Sequence, residues 1–308
     1  MKIICCGDWH IRATPTKFRT SEYYDQMLTK IKYIMNFAIE NSIFIVLQPG
    51  DFFDSPDIPN RVFVDIIKSI GPAVVHVVFG QHDTKHRRTE DTALAVFIES
   101  EAVELLTDKP TTYDERKVVD IYGSSWGESI PIVVNPKHYN ILVLHKMIVK
   151  DKPLFPDQKN YINSTDFAES LLNYDLVVSG DNHNSFSYLP EDAQLPSIVN
   201  CGSLMRMTTA QYDHKPCFWV VDTITEGVKK YVIPILPTIE VFKEEAIEIK
   251  ERDEKMEAFI RTLDDTKLTT QLSFEANAQE LLATTKMKSS VGRLINGFIK
   301  DYYSQEKP

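Results

Sequence analysis

Five short polar clusters carry the residue types of this chain that could do chemistry: Asp8-Trp9-His10, Gly50-Asp51-Phe52-Phe53-Asp54, Gly80-Gln81-His82-Asp83, a lone His145, and Gly180-Asp181-Asn182-His183. Carboxylates, imidazoles and one amide form a hard oxygen–nitrogen ligand set. It suits Mn²⁺, Mg²⁺ or Fe²⁺ better than a thiolate zinc site. A DxH or GD pattern alone arises by chance in most chains. Five clusters in succession, each directly behind an apolar run, point to one assembled site. Two cations that share a bridging carboxylate clamp the attacking and departing oxygens of a phosphoester, and the clusters hold enough ligands for that arrangement.

The runs that must position these clusters read as strands alternating with helices. Met1 to Cys6, Ile43 to Leu47, Val74 to Phe79, Tyr139 to Leu144 and Leu176 to Ser179 are short, apolar and rich in β-branched residues. Each ends at one of the five clusters. Val118 to Tyr122, Ser197 to Asn200 and Phe218 to Val221 add further strands. Met27, Leu28, Ile31, Ile34, Met35 and Ala38 recur at helical spacing within Glu22 to Asn41. Asn60 to Ile70, stopped by Gly71-Pro72, and Asp91 to Glu99 read as two more helices. Apolar runs that do not alternate indicate strands covered on both faces. In layered α/β folds a site assembles at the strand ends.

A chain of 308 residues is long enough for one large domain and a small one. Pro234 and Pro237 bracket the expected boundary, giving domains 1–236 and 237–308. Beyond it, Thr238 to Lys250 alternates like a surface strand, Arg252 to Leu263 reads as a charged helix, and Gln271 to Ala276 as a strand. Within Ala278 to Tyr302, Met287, Val291, Leu294, Ile295, Phe298 and Ile299 form a single helical stripe. No apolar run reaches the roughly 20 residues that span a bilayer, and no signal-peptide core follows Lys2. The four cysteines include no CxxC pair, which argues against a disulfide framework or zinc knuckle and for a reducing, cytoplasmic setting. The formal net charge of −10 is unusual for a protein that grips nucleic acid unaided. Part of it is the carboxylate cluster itself; were nucleic acid the substrate, a partner would have to supply much of the affinity.

From Met1 to about Leu236, the order D-x-H, G-D-x-x-D, G-N-H-D/E, H and G-H-x-H resembles the calcineurin-like metallophosphoesterases. Asp51-Phe52-Phe53-Asp54 and Asn200-Cys201-Gly202-Ser203 followed by Leu204-Met205-Arg206 resemble the SbcD-type nuclease subunits of bacterial and phage DNA repair in particular. The resemblance implies a four-layer α/β/β/α sandwich, here with a small C-terminal α+β cap-like module. It implies Asp8, His10, Asp51 and His183 around a first cation, and Asp51, Gln81, His145 and Asp181 around a second, with Asp51 bridging and Mn²⁺ or Mg²⁺ as the metal. A water between the cations, acidified from about 15.7 in bulk toward neutrality, is then the nucleophile. His82 protonates the leaving oxygen, with Asp83 orienting its imidazole and raising its pKa. Asp54 caps the following segment or orients a ligand rather than binding metal. Gln81 and Asp181 depart from the family pattern, which has Asn and His there. Gln81 keeps the amide oxygen on a longer arm, and Asp181 adds a hard anionic oxygen.

The same resemblance implies a DNA exonuclease and endonuclease working with an SbcC-type coiled-coil ATPase, docked through C-terminal helices and assembled two with two; a homodimer is a related expectation. A phosphomonoesterase or cyclic-nucleotide phosphodiesterase, or a scaffold that has lost its metals, are the alternatives. Lys85, His86, Arg87 and Arg88 form a basic run just beyond the catalytic loop, and with Arg206 are candidate contacts to DNA phosphates. His76 reads as a core histidine. His138, His214, Trp126 and Trp219 carry no role beyond packing.

Overall fold

The structure, a computed structural model, describes residues 1–151 and 159–248 together with Arg252 and Lys255. From the N-terminus the chain forms β1 (Lys2–Cys6), α1 (Tyr23–Glu40), β2 (Ile45–Gln48), α2 (Asn60–Ile70), β3 (Val74–Val77), α3 (Ala93–Glu99) and β4 (Glu104–Leu105). Then come β5 (Thr111–Asp114), β6 (Val118–Ser124), β7 (Tyr139–His145), β8 (Ile148–Val149), β9 (Ile162–Asn163), α4 (Ser164–Glu169) and β10 (Leu176–Gly180). β11 (Phe186–Tyr188), β12 (Ser197–Asn200), β13 (Cys217–Asp222), β14 (Gly227–Val232) and α5 (Thr238–Val241) follow. Two six-stranded sheets result, ordered β14-β13-β1-β2-β3-β4 and β11-β12-β10-β7-β6-β5.

In the first sheet β1 to β4 are parallel and β13 and β14 turn back antiparallel. In the second, β12, β10, β7 and β6 are parallel, with β11 and β5 antiparallel at the edges. Central strands buried along their whole length, such as Ile45–Gln48 and Tyr139–His145, have both faces covered. One apolar layer sets the first sheet against α1, α2 and α3, through residues such as Ile34, Ile66 and Phe97. A second lies between the sheets, through Ile3, Leu47, Ile141 and Val199. A third covers the far face of the second sheet with Phe167, Leu171 and Tyr174. The architecture is the expected α/β/β/α sandwich. Local signals place the helices: the Thr92 hydroxyl accepts the N–H of Ala95 at the start of α3, and the Asn163 side chain accepts that of Thr165 at the start of α4.

One expectation differs from what is observed. Thr238–Val241 is a short helix, not a surface strand. Pro237 supplies an extended residue with fixed φ immediately before the first turn, and the Val241 carbonyl accepts from Arg19 Nε at 2.8 Å and from the Thr20 N–H at 3.1 Å. Met1–Lys243 forms one compact unit, and these bonds tie residues 238–243 into it. The charged helix from Arg252, the strand from Gln271 and the apolar stripe from Met287 lie outside the described residues, Arg252 and Lys255 excepted. Among the described residues, no helix is long and apolar enough to cross a membrane.

Candidate metal centre

The polar clusters meet because β1, β2 and β3 of one sheet and β7 and β10 of the other all end on the same side. Backbone bonds stitch the loops together. The N–H groups of Trp9 and His10 both donate to the Asp51 carbonyl, at 3.1 and 3.0 Å, and Ile11 donates to Phe52 at 3.0 Å. The Asp181 N–H donates to both oxygens of Asp8, at 3.3 and 3.1 Å. A Cβ on Gly180 would fall within 2.6 Å of Asp8 Oδ1, so only glycine lets the β10 loop come this close. His10, Asp51 and Asp181 all adopt left-handed backbone, at φ 44°, 49° and 75°. Non-glycine residues tolerate that conformation where the surroundings over-determine it, as at functional sites.

Asp51 lies at the centre. Its Oδ1 accepts the His82 N–H at 2.9 Å. Its Oδ2 stands 3.6 Å from His10 Nε2 on one side and 3.5 Å from His145 Nε2 on the other, buried and with no hydrogen-bond donor. His145 Nδ1 donates to the Pro49 carbonyl at 2.7 Å, which fixes the tautomer and aims Nε2 into the site. Gln81 Nε2 donates to Asp181 Oδ1 at 3.0 Å, leaving its own Oε1 buried and unpartnered. On the opposite side His10 Nε2 and His183 Nε2 face each other at 3.0 Å, and His183 Nε2 lies 3.7 Å from Asp8 Oδ2. Asp8, His10 and His183 bring one ligand atom each within 4.8 Å of one another. Buried donor atoms left without partners are costly in a folded protein. Here Asp51 Oδ2, Gln81 Oε1 and His145 Nε2 are such atoms, and divalent cations on either side of Asp51 would satisfy them. The donor set therefore fits two hard metal ions.

The charges of the site are strongly coupled. Burial would depress His145, but Asp51, Asp8 and Asp181 overturn that and raise it to about 10. Burial would raise Asp51, yet His145 and then His10 hold its carboxyl well below the usual range. Asp8 is pushed up, first by burial and then by Asp51 and Asp181, against the pull of His145. The dry surroundings of the half-buried His183 ring, then His10, press it down to about 3, so it presents a neutral lone pair. Asp54 lies 3.4 Å from His10 Nδ1 and takes a 2.8 Å bond from Arg12. With His10 and His82 it also forms a second group whose ligand atoms lie within 4.8 Å of one another.

Two sequence expectations are corrected. Asp83 does not orient His82. Its buried carboxylate accepts the N–H groups of Phe52 at 3.1 Å, Phe53 at 2.8 Å and Gly80 at 2.9 Å, and so clamps the β2 loop to the β3 loop. Burial and the charge of Asp51 nevertheless lift its carboxyl to about 7. His82 is exposed instead, with Nδ1 3.1 Å from the Asp54 carbonyl. Arg206 is only 2% exposed, and its guanidinium donates to Thr238 Oγ1 at 2.7 Å and to the Leu236 carbonyl at 2.8 Å. That cation is spent inside the fold, out of reach of phosphate. In the basic run, Lys85 to Arg88 closes a tight turn through reciprocal 2.9 Å backbone bonds, with φ positive at His86 and Arg87. Lys85 pairs with Asp57, while Arg87 and Arg88 stay exposed.

Sequence reasoning missed the bracing groups. The Gln48 side chain satisfies both the N–H and the carbonyl of Gly50. Asn200 Nδ2 donates to the carbonyls of Asn182 and Asn184 on either side of His183, at 2.6 and 2.8 Å. A Cβ on Gly202, at φ 73°, would lie 2.6 Å from the His183 carbonyl, and the Leu204 N–H donates to the Asp8 carbonyl at 2.8 Å. The Asn-Cys-Gly-Ser segment thus holds the Asp8 and His183 loops together. Its motif was visible in the sequence, but its partners are distant backbone atoms. His76 is a core histidine, bonded through Nε2 to the Tyr113 hydroxyl.

The chain is similar to solved structures that include TT1561 of Thermus thermophilus (10% identity, TM-score 0.47, covering 76% of this chain and 99% of that one). A dimetal phosphatase from Danio rerio is similar at 10% identity and TM-score 0.47, covering 78% of this chain and 97% of that one. No curated protein matches. The family model described as calcineurin-like phosphoesterase matches residues 1–185, more than half of the chain. The chain belongs to the calcineurin-like phosphoesterase family.

Proposed function

We propose that this phosphoester hydrolase is a DNA nuclease that works with an SbcC-type coiled-coil ATPase. Asp8, His10, Asp51 and His183 would hold one divalent cation, and Asp51, Gln81, His145 and Asp181 the other. Bound there, two such ions polarise the phosphoester and acidify a water molecule. The observation that carries the hydrolytic reading is the unpartnered Asp51 Oδ2 between the Nε2 atoms of His10 and His145. His145 is locked by Pro49, and Asp54 braces His10. His82, exposed beside His10 with ring centroids 4.9 Å apart, is placed to donate a proton to the departing oxygen. Mn²⁺ or Mg²⁺ suits the added carboxylate of Asp181.

Support for a nucleic-acid substrate comes from Arg87 and Arg88, exposed on the turn just beyond His82, and from the SbcD-like motifs. The net charge of −10 fits a subunit that borrows DNA affinity from its partner. The test is cleavage of end-labelled linear DNA in Mn²⁺, alongside bis-p-nitrophenyl and mono-p-nitrophenyl phosphates, with Asp51→Asn as the inactive control. DNA and diester hydrolysis lost in the control is expected. Turnover of the monoester alone would favour a phosphomonoesterase.

A further inference from the structure

A groove of about 550 Å³ opens directly from the metal centre and shares His145 and Asp181 with it. Neighbouring parallel strands build it. β6, β7 and β10 pair in register, Ser124 with Leu144 and Gly180 with His145, so Trp126, Lys146 and Asp181 emerge side by side. The Trp126 N–H donates to the Phe79 carbonyl at 2.8 Å, fixing that residue at the end of β3 beside Gly80-Gln81. Across the groove, the Ile162 N–H donates to the Met147 carbonyl at 3.0 Å and brings Tyr161 next to Lys146.

The lining is unusual for a surface that only needs to dissolve. Trp126 is 40% exposed and Tyr161 39%, whereas Trp9 and Trp219 are buried at 0% and 7%. Lys146 and Lys159 are exposed with no carboxylate partner among the described residues. Apart from Asp181, the one acid lining the groove among the described residues is Glu128, whose carboxylate accepts the Ser125 N–H at 2.7 Å. Two half-exposed aromatic rings and two exposed ammonium groups at the edge of a phosphoesterase centre match how single strands are held, with bases stacked on aromatic faces and phosphates drawn by cations.

We propose that this groove binds an unpaired nucleotide next to the scissile phosphate, with Trp126 and Tyr161 stacking the base and Lys146 and Lys159 drawing the adjoining phosphates. This rests on the nuclease reading and narrows its substrate to a frayed or single-stranded end.

Because Trp126 is the exposed indole among three, its emission reports the groove. Metal-free wild-type protein is titrated with a short single-stranded thymidine oligonucleotide and, in parallel, with an abasic oligomer of equal length and charge. The oligonucleotide should quench the emission and bind about ten-fold more tightly than the abasic chain, the order expected of one base–aromatic stack. Tyr161→Leu should weaken oligonucleotide binding by a similar factor and leave the abasic chain unaffected. Trp126→Phe should retain most of the affinity by fluorescence anisotropy of a labelled oligonucleotide, and Trp126→Ser should lose it. Equal binding of the two oligomers, or saturation without a change in indole emission, would overturn the proposal. Quenching by a protein that cuts no DNA would leave the groove intact and sink the nuclease reading.

Discussion

Removing the Asp83 carboxylate separates a brace from a proton relay. Its oxygens take three backbone N–H groups, from Phe52, Phe53 and Gly80, and the side chain is fully buried. In Asp83→Ala all three donors lose their acceptor where water does not reach. A buried donor left unpaired costs about 1–3 kcal/mol. Three donors, partly relieved by relaxation of the loops and by loss of a desolvated charge beside Asp51, leave a net cost of about 3–5 kcal/mol. For a unit of this size 1 kcal/mol corresponds to about 2–4 °C, so Tm should fall by at least about 6 °C. Calorimetry in chelator is the assay, because metal loss then cannot contribute to the shift. Activity should fall as well, since the clamp sets Asp51 against the Gln81 and His82 loop. A Tm within about 2 °C of wild type, with only a displaced acid limb in the pH–rate profile, would refute the brace and restore a role on the His82 proton.

Three further outcomes follow from the same geometry. His82→Ser should keep both cations and lose about two to four powers of ten in turnover, the usual worth of a placed acid; metal loss on isothermal titration would make His82 a ligand instead. Arg206→Met orphans the carbonyl of Leu236 and removes one partner of the Thr238 hydroxyl, and should cost about 1–3 kcal/mol of stability by denaturant unfolding without changing DNA affinity; the reverse pattern would restore a phosphate contact. His145 is raised to about 10, so its stabilising contribution to the metal-free protein is complete below its ordinary value near 6.5 and is lost as pH rises through about 10. His145→Gln should flatten that alkaline loss in chemical denaturation, and Mn²⁺ binding to wild type near neutral pH should release a proton measurable by buffer-dependent calorimetry.

How far the sequence carried depended on where each residue's partners lie. The strands that aim the site were legible because they are buried on both faces and so leave continuous apolar runs, each cut off by a polar cluster. The clustering of Asp8, His10, Asp51, His145 and His183 was legible because each stands directly behind one of those strands, with the side-chain types that hard cations favour. Asp83, Asn200 and Arg206 act instead mainly on backbone N–H and carbonyl groups far away in the chain, and Gln48 on the backbone of Gly50; side-chain identity does not encode such partners. The apparent strand at Thr238 failed because two alternating apolar residues cannot outweigh Pro237 and the Arg19 cap on Val241. Trp126 looked like packing because a sequence does not tell a buried indole from one held at a strand end with its face open.

The central claim is that the atoms flanking Asp51 are two cation sites and that Asp181 completes the second. Counting Mn²⁺ per chain, by isothermal titration and by anomalous scattering from soaked crystals, tests it most directly. Wild type should hold two ions, one beside Asp8, His10 and His183 and one beside Gln81, His145 and Asp181. Asp181→Ala should keep the first and empty or greatly weaken the second. A single ion in wild type, or two full sites in Asp181→Ala, would contradict the account.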